Sequence, residues 1–387
     1  MKHLSRLSLL FVLLASLILG ACGGAPTEAP TDAPTAAPVV EPTAEPVAEP
    51  TVAAAEGISV VDALGRTVEF DEPPQRIVVA GKSSLTIVDT LFLFPEAAER
   101  VVGIVVGNQN PSDFLSLVDP GFKETTTILE VEAGPEQIAP LNPDVVIARS
   151  FVAETLGTPL EQVNIPVVFV DLETPEQYFR DLVTLGQLFD NQARAEEIQN
   201  YYQSRLSAID GAIQTSGAIK PSVLLLQYSN KGGEVALNVP SASWIQTTEV
   251  ELAGGDPVWK EAATAGGWTV VNLEQIAAWN PDTIFVIHYQ VDSREVVEKL
   301  KGDSKWQALK AVQNDEIYGF PADAFSWDQP DPRWILGVTW LAGKIHPTLF
   351  PDLDMEQEAQ DFFVNIYGID AATVESQILP NLKGQVK

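Results

Sequence analysis

Two stretches of the chain nearly copy each other, 138 residues apart. Glu136 to Ala148 reads EQIAPLNPDVVIA and Glu274 to Val286 reads EQIAAWNPDTIFV, with seven of thirteen positions matching. No other feature narrows the fold as much. Pro forces the residue before it out of the helical region, so Asn-Pro-Asp ends a helix in each copy. Pro135 to Leu141 and Leu273 to Trp279 read as short helices. Val145 to Ala148 and Thr283 to Ile287 follow as buried strands. One helix–turn–strand unit used twice implies two equivalent lobes.

The flanking sequence extends both lobes. Ile58 to Asp62 and Thr67 to Phe70 flank a turn and read as a hairpin. Ile77 to Ala80, Val101 to Val106 and Val167 to Val170 are short apolar runs with helical patterns between them. Val223 to Gln227 and Ile317-Tyr318 continue this in the second half, where Trp244 to Ala253 and Arg333 to Ile345 read as helices. Strands alternating with helices predict an α/β fold with parallel sheets covered on both faces. Between the halves, apolar residues recur at helical spacing from Tyr178 to Ile209, interrupted at Asp190. This reads as one long, stiff connecting helix. The expected organisation is an N-terminal lobe at 57–174, the connector at 175–215, and a C-terminal lobe with a helical tail at 216–387.

The first 56 residues lie outside that pattern. Lys2 and Arg6 precede an apolar run, and Leu19-Gly20-Ala21-Cys22 closes it. Residues 1–21 are expected to be a signal peptide whose small residues before Cys22 resemble a lipobox, so Cys22 is the expected lipidation site. It is the chain's one cysteine, which excludes disulfides and thiolate metal sites within the fold. Residues 22–56 carry Pro at every fourth position, with acids and no Lys or Arg, and are expected to be a tether. The protein is thus expected outside the cytoplasm, anchored to the cell membrane. A net charge of −30 argues against a nucleic-acid partner. No Walker or GxGxxG motif and no nucleophile–base spacing is present, so an enzyme is not expected. Two histidines beyond the leader, His288 and His346, are too few for direct zinc or manganese capture.

The segments VVDALGRTVEFDEPPQRIVV, PEQIAPLNPDVVIA, ELAGGDPVWKE, LEQIAAWNPDTIFVI and DSKWQALKAVQNDEIYGFP occur in that order. Together, across residues 58–345, they resemble the class III substrate-binding proteins of ABC importers, carriers of ferric siderophores, haem and vitamin B12. The resemblance implies two α/β lobes bridged by a rigid helix, a monomer with no cofactor, and a ligand in the cleft between lobes. It implies partnership with a permease dimer and its ATPase, with Glu136 and Glu274 on the positions that dock to permease arginines. Each Glu is also a sound helix start, since a carboxylate there gains about 0.3–1 kcal/mol from the helix dipole.

Ligands of open α/β sheets bind beyond the carboxyl ends of the strands. Those positions supply Lys82, Ser83, Asn108 and Arg149 in the first lobe. In the second they supply Tyr228, Lys231, His288 and Tyr289. Trp244, Trp327 and Arg333 lie in or beside loops of the second lobe, with Trp327 and Arg333 the favoured pair. The bases among these favour an anionic ligand, and the aromatics a large organic one. A ferric siderophore or haem is the first choice. A corrinoid, or molybdate or tungstate, is the alternative. A surface lipoprotein used for sensing or adhesion is the rival of another class.

Overall fold

A computed structural model describes residues 57–107, 109–230 and 233–386. The leader, Cys22, the tether, Asn108 and Lys231 lie outside the described residues. In the first lobe β1 (Ile58–Val61) and β2 (Thr67–Phe70) form an antiparallel hairpin. The lobe's sheet contains β3 (Ile77–Val79), β4 (Val101–Val105), β5 (Thr127–Leu129), β6 (Val145–Arg149) and β7 (Val167–Val170). Its order is β5-β4-β3-β6-β7 and every pairing is parallel. Every residue of β3, β6 and β7 is buried, as strands covered on both faces require.

The second lobe departs from a purely parallel sheet. It contains β8 (Ser222–Ser229), β9 (Ala236–Val239), β10 (Asp256–Pro257), β11 (Thr269–Val271), β12 (Thr283–Ile287) and β13 (Ile317–Gly319). The order is β11-β9-β8-β12-β13, with β10 added along β8. β8, β10, β12 and β13 run parallel, whereas β9 and β11 are antiparallel additions at one edge.

The repeated phrase does the same structural work in both lobes. Asn142 and Asn280 end their helices in the left-handed region, at φ 46° and 43°. Asn tolerates that conformation better than other residues with a Cβ, and the following Pro cannot continue the helix. Each Asp then clamps the neighbouring strand. Asp144 donates its amide to Arg76 O at 2.8 Å, and its carboxylate accepts the amides of Gln75 and Arg76, both at 2.8 Å. Asp282 donates to Ser222 O at 2.8 Å and accepts from the Ser222 amide and hydroxyl at 2.9 and 2.6 Å.

The expected single connector is two antiparallel helices. Thr174 caps Pro175–Leu188, whose Thr184 hydroxyl donates to Val61 O at 2.9 Å, so this helix belongs to the first lobe. Asp190 turns the chain at φ 54°, and Asn191 caps Gln192–Ser216. The two pack face to face: the hydroxyls of Tyr178 and Tyr202 lie 3.2 Å apart, and Gly186 leaves room for Ala195. Helical spacing persists across Asp190 because both apolar faces meet each other, although the axis reverses. The chain itself crosses from one lobe to the other along Gln192–Ser216. From it Arg194 donates to Leu93 O at 2.9 Å and Ile366 O at 2.6 Å, joining the first lobe to the C-terminal tail.

Candidate functional site

The carboxyl ends of the strands face each other across an interlobe cleft of about 760 Å³. Ser83, Arg149, Phe151 and Glu173 line it from the first lobe. Trp244, Gln246 and Gln329 line it from the second. Of the residues expected from sequence, Ser83, Arg149 and Trp244 therefore reach one cavity. His288 and Tyr289 line a smaller neighbouring chamber of about 150 Å³. Gln329 borders both spaces, and its amide pairs with that of Gln109 across the lobes at 3.3–3.4 Å. Lys82 lies in an adjoining hollow, largely exposed and 3.5 Å from Glu132.

Three expected ligand residues are occupied elsewhere. Tyr228 is buried, and Lys299 donates to its hydroxyl at 2.6 Å. Trp327 is fully buried and its indole donates to Asp323 at 3.3 Å. Arg333 is fully buried too. It binds Asp323 at 2.7 Å, Asp89 and the Tyr367 hydroxyl at 3.0 Å, with its guanidinium 4.3 Å from the Phe114 ring centre. Asp89 belongs to the first lobe, Asp323 to the second and Tyr367 to the tail. Arg333 is thus the ionic bolt through all three. A charge removed from water survives only with such partners, and Arg333 itself lines neither the cleft nor the chamber beside it.

The expected basic cluster is therefore not a positive pocket. Besides Arg333, Lys82 sits beside Glu132, and Arg149 donates to Glu173 at 2.9 Å. Burial pushes His288 below the ordinary imidazole range, against the pull of Glu295. Its Nδ1 accepts the amides of Gln290 and Val291 at 3.2 and 3.0 Å, which leaves the proton on Nε2. Asp171, Glu173 and Asp331 line the same cleft as Arg149. Among the described residues no group of three His, Cys, Asp or Glu is placed to hold a metal ion.

Aromatic surface is the stronger feature. Trp244 meets Trp268 edge-on at 5.5 Å, and Trp268 meets Tyr289 at 6.4 Å. On the other wall Phe151 is 60% exposed. Sequence reasoning stopped at Ser150 and missed Phe151, although it is the second residue after β6 and the strand-end rule would have reached it. Trp268, in a Gly-rich loop before β11, gave no comparable signal.

Glu136 and Glu274 are exposed in the first turns of their helices. A helix leading into a parallel strand starts at the end of the lobe where that strand finishes. Each Glu thus belongs to the cleft end of its lobe.

The family described as periplasmic binding protein matches residues 87–324, and a PT disordered repeat matches residues 24–54, outside the described residues. The chain is similar to the molybdate-binding protein MolA of Haemophilus influenzae, 23% identical over 80% of this chain and 90% of that protein. It is also similar to the iron-uptake system-binding protein of Bacillus subtilis, 24% identical over 67% of this chain and 78% of that one. A periplasmic solute binding protein from Veillonella parvula shares the fold with a TM-score of 0.65 at 22% identity, covering 81% of this chain and 93% of that one. The chain belongs to the periplasmic binding protein family, as a class III substrate-binding protein of ABC importers.

Proposed function

We propose that the protein captures an organic ferric chelate, a ferric siderophore or haem, and hands it to a permease. One observation carries this reading: the cleft is about 760 Å³ and has aromatic side chains on both walls. That size falls in the usual range of roughly 300–1,000 Å³ for organic ligands and exceeds what a bare tetraoxo anion fills. The charges around Arg149 also favour a ligand with a hydrophobic body over a free anion. A second reading, molybdate, is supported by the likeness to MolA and by the buried Arg149. In either case the proposal places a lipid on Cys22 and makes Glu136 and Glu274 the contacts for the two permease subunits.

Native mass spectrometry with haem, a ferric hydroxamate siderophore, cobalamin and molybdate tests the ligand class. A one-to-one complex with haem or the siderophore is expected. Capture of molybdate or cobalamin with neither iron ligand bound would overturn the first reading.

A further inference from the structure

Arg149 and Glu173 are joined more loosely than an Arg–carboxylate pair can be. Arg149 ends β6 and is 94% buried as the complement of its 6% exposure. Only its Nη2 meets Glu173, at 2.9 Å, and its buried Nε has no partner among the described residues. Arginine binds carboxylates best through two parallel bonds, and Nε with Nη2 is one such fork. Half of this fork is unused.

Glu173 reaches the arginine from the loop after β7. Asp181 pins that loop by accepting the amides of Asp171 and Leu172 at 2.7 and 2.8 Å, and Leu172 is held at φ 53°. The Glu173 carboxylate also faces the backbone N–H of Ile245 in the other lobe. Ile245 opens the helix Ile245–Leu252, whose N-cap residue, Trp244, provides no side-chain cap. A helix N-terminus without a cap attracts an anion. One protein carboxylate therefore spans the cleft between a buried guanidinium and an open helix end. Glu173 is the more exposed partner, with 27% of its side chain accessible against 7% for Arg149, so it lies on the solvent side.

We propose that Glu173 is a stand-in for the cargo: it occupies an oxyanion seat made by Arg149 and the N-terminus of Ile245–Leu252, and an anionic arm of the cargo displaces it. An incoming carboxylate gains the Nε bond that Glu173 leaves unmade. It also takes over the contact with the second lobe, so the lobes stay bridged. Cargo without an anionic group has nothing to repay the displacement, which makes Glu173 a filter for ligand class. Burial holds Glu173 above the ordinary carboxylate range in spite of Arg149, consistent with a carboxylate that is not optimally bound.

This inference rests on the cleft being the cargo site. Calorimetry with sodium molybdate and with ferric citrate tests it on the full-length protein. Glu173→Gln keeps the shape of the side chain and removes its charge, so its hold on the arginine weakens. It is expected to tighten at least one probe by about tenfold, the worth of one charge-assisted hydrogen bond. Glu173→Gln combined with Arg149→Gln removes both charges together, and the gain is expected to vanish. No tightening of either probe, or a gain that survives the loss of Arg149, would overturn the stand-in. If the wild type binds no iron ligand yet Glu173→Gln gains an Arg149-dependent anion site, the cargo reading fails and the stand-in holds. If haem or a siderophore binds the wild type and Glu173→Gln gains nothing, the reverse is true.

Discussion

Asp282 allows a clamp of the repeated phrase to be weighed. Its carboxyl titrates at about 2 instead of the ordinary 3.8, because Lys310 and then Ser222 donate to it. Each pH unit is worth about 1.36 kcal/mol, so the full difference would stabilise the fold by about 2.5 kcal/mol. The side chains of Asp282 and Lys310 are 36% and 52% exposed, and screening at that exposure reduces the figure to about 1 kcal/mol. The sign follows from the depressed value. The stabilisation is present above the unfolded chain's value and is lost as pH falls from about 4 through about 2. Asp282→Asn keeps the shape and can still accept from Ser222. Urea unfolding should therefore show the variant weaker by about 1 kcal/mol at pH 7, with the gap closing toward pH 2.5. A gap of the same size at both pH values would mean that the ion pair contributes nothing and the loss is one of geometry.

Two further outcomes test other parts of the molecule. Glu249 is fully buried, neither carboxyl oxygen has a partner among the described residues, and burial followed by Asp328 and Asp331 pushes it well above the carboxylate range. The unfolded chain releases this proton near the ordinary value while the folded one keeps it. Glu249→Gln should thus match the wild type at pH 4 and gain stability at about 1.4 kcal/mol per pH unit above the ordinary value, until the folded carboxyl ionises. Equal stability of the two proteins at pH 7 in urea unfolding would refute this. The docking reading predicts that Glu136→Ala with Glu274→Ala lowers uptake at least about tenfold and leaves cargo affinity within about twofold, as rim charges do. Undiminished uptake in cells would exclude permease docking, and a collapse in affinity would return both residues to the cleft.

The two lobes, their strand order of alternation and the cleft between them were legible because period and punctuation are local. Asn-Pro-Asp, the hairpin turn and the apolar runs act over a few residues. The antiparallel edge of the second sheet was not legible, since β9 and β11 are short strands whose pairing depends on a reversal after β8. Arg333 shows the limit more sharply. Beside Trp327 and a turn-rich loop it reads as a ligand residue. Its assignment changes only when Asp89, 244 residues earlier, and Tyr367, 34 residues later, are seen against it. Local sequence records a side chain's charge but not which distant group neutralises it. The same blindness made five bases look like a positive pocket, when Lys82, Arg149 and Arg333 each have a carboxylate partner.

The repeat itself divides structure from chemistry. Its matched Asn-Pro-Asp is explained by backbone geometry: Asn for the left-handed turn, Pro to stop the helix, Asp to clamp the next strand. None of the three needs a ligand. Beyond the strands the copies part, and the 138-residue offset sets Ser150 against His288 and Phe151 against Tyr289. Both members of the second pair line interlobe space, Phe151 the main cleft and Tyr289 the chamber beside it. An aromatic thus stands at the same place in each lobe, although the two line different spaces. Arg149 falls opposite Ile287, so the repeat places a guanidinium at this strand end in the first lobe alone. The duplicated scaffold thus carries an aromatic at this position in both lobes and an arginine in only one. Under the proposed reading, such an arrangement would hold the body of a hydrophobic chelate and turn its anionic edge toward Arg149.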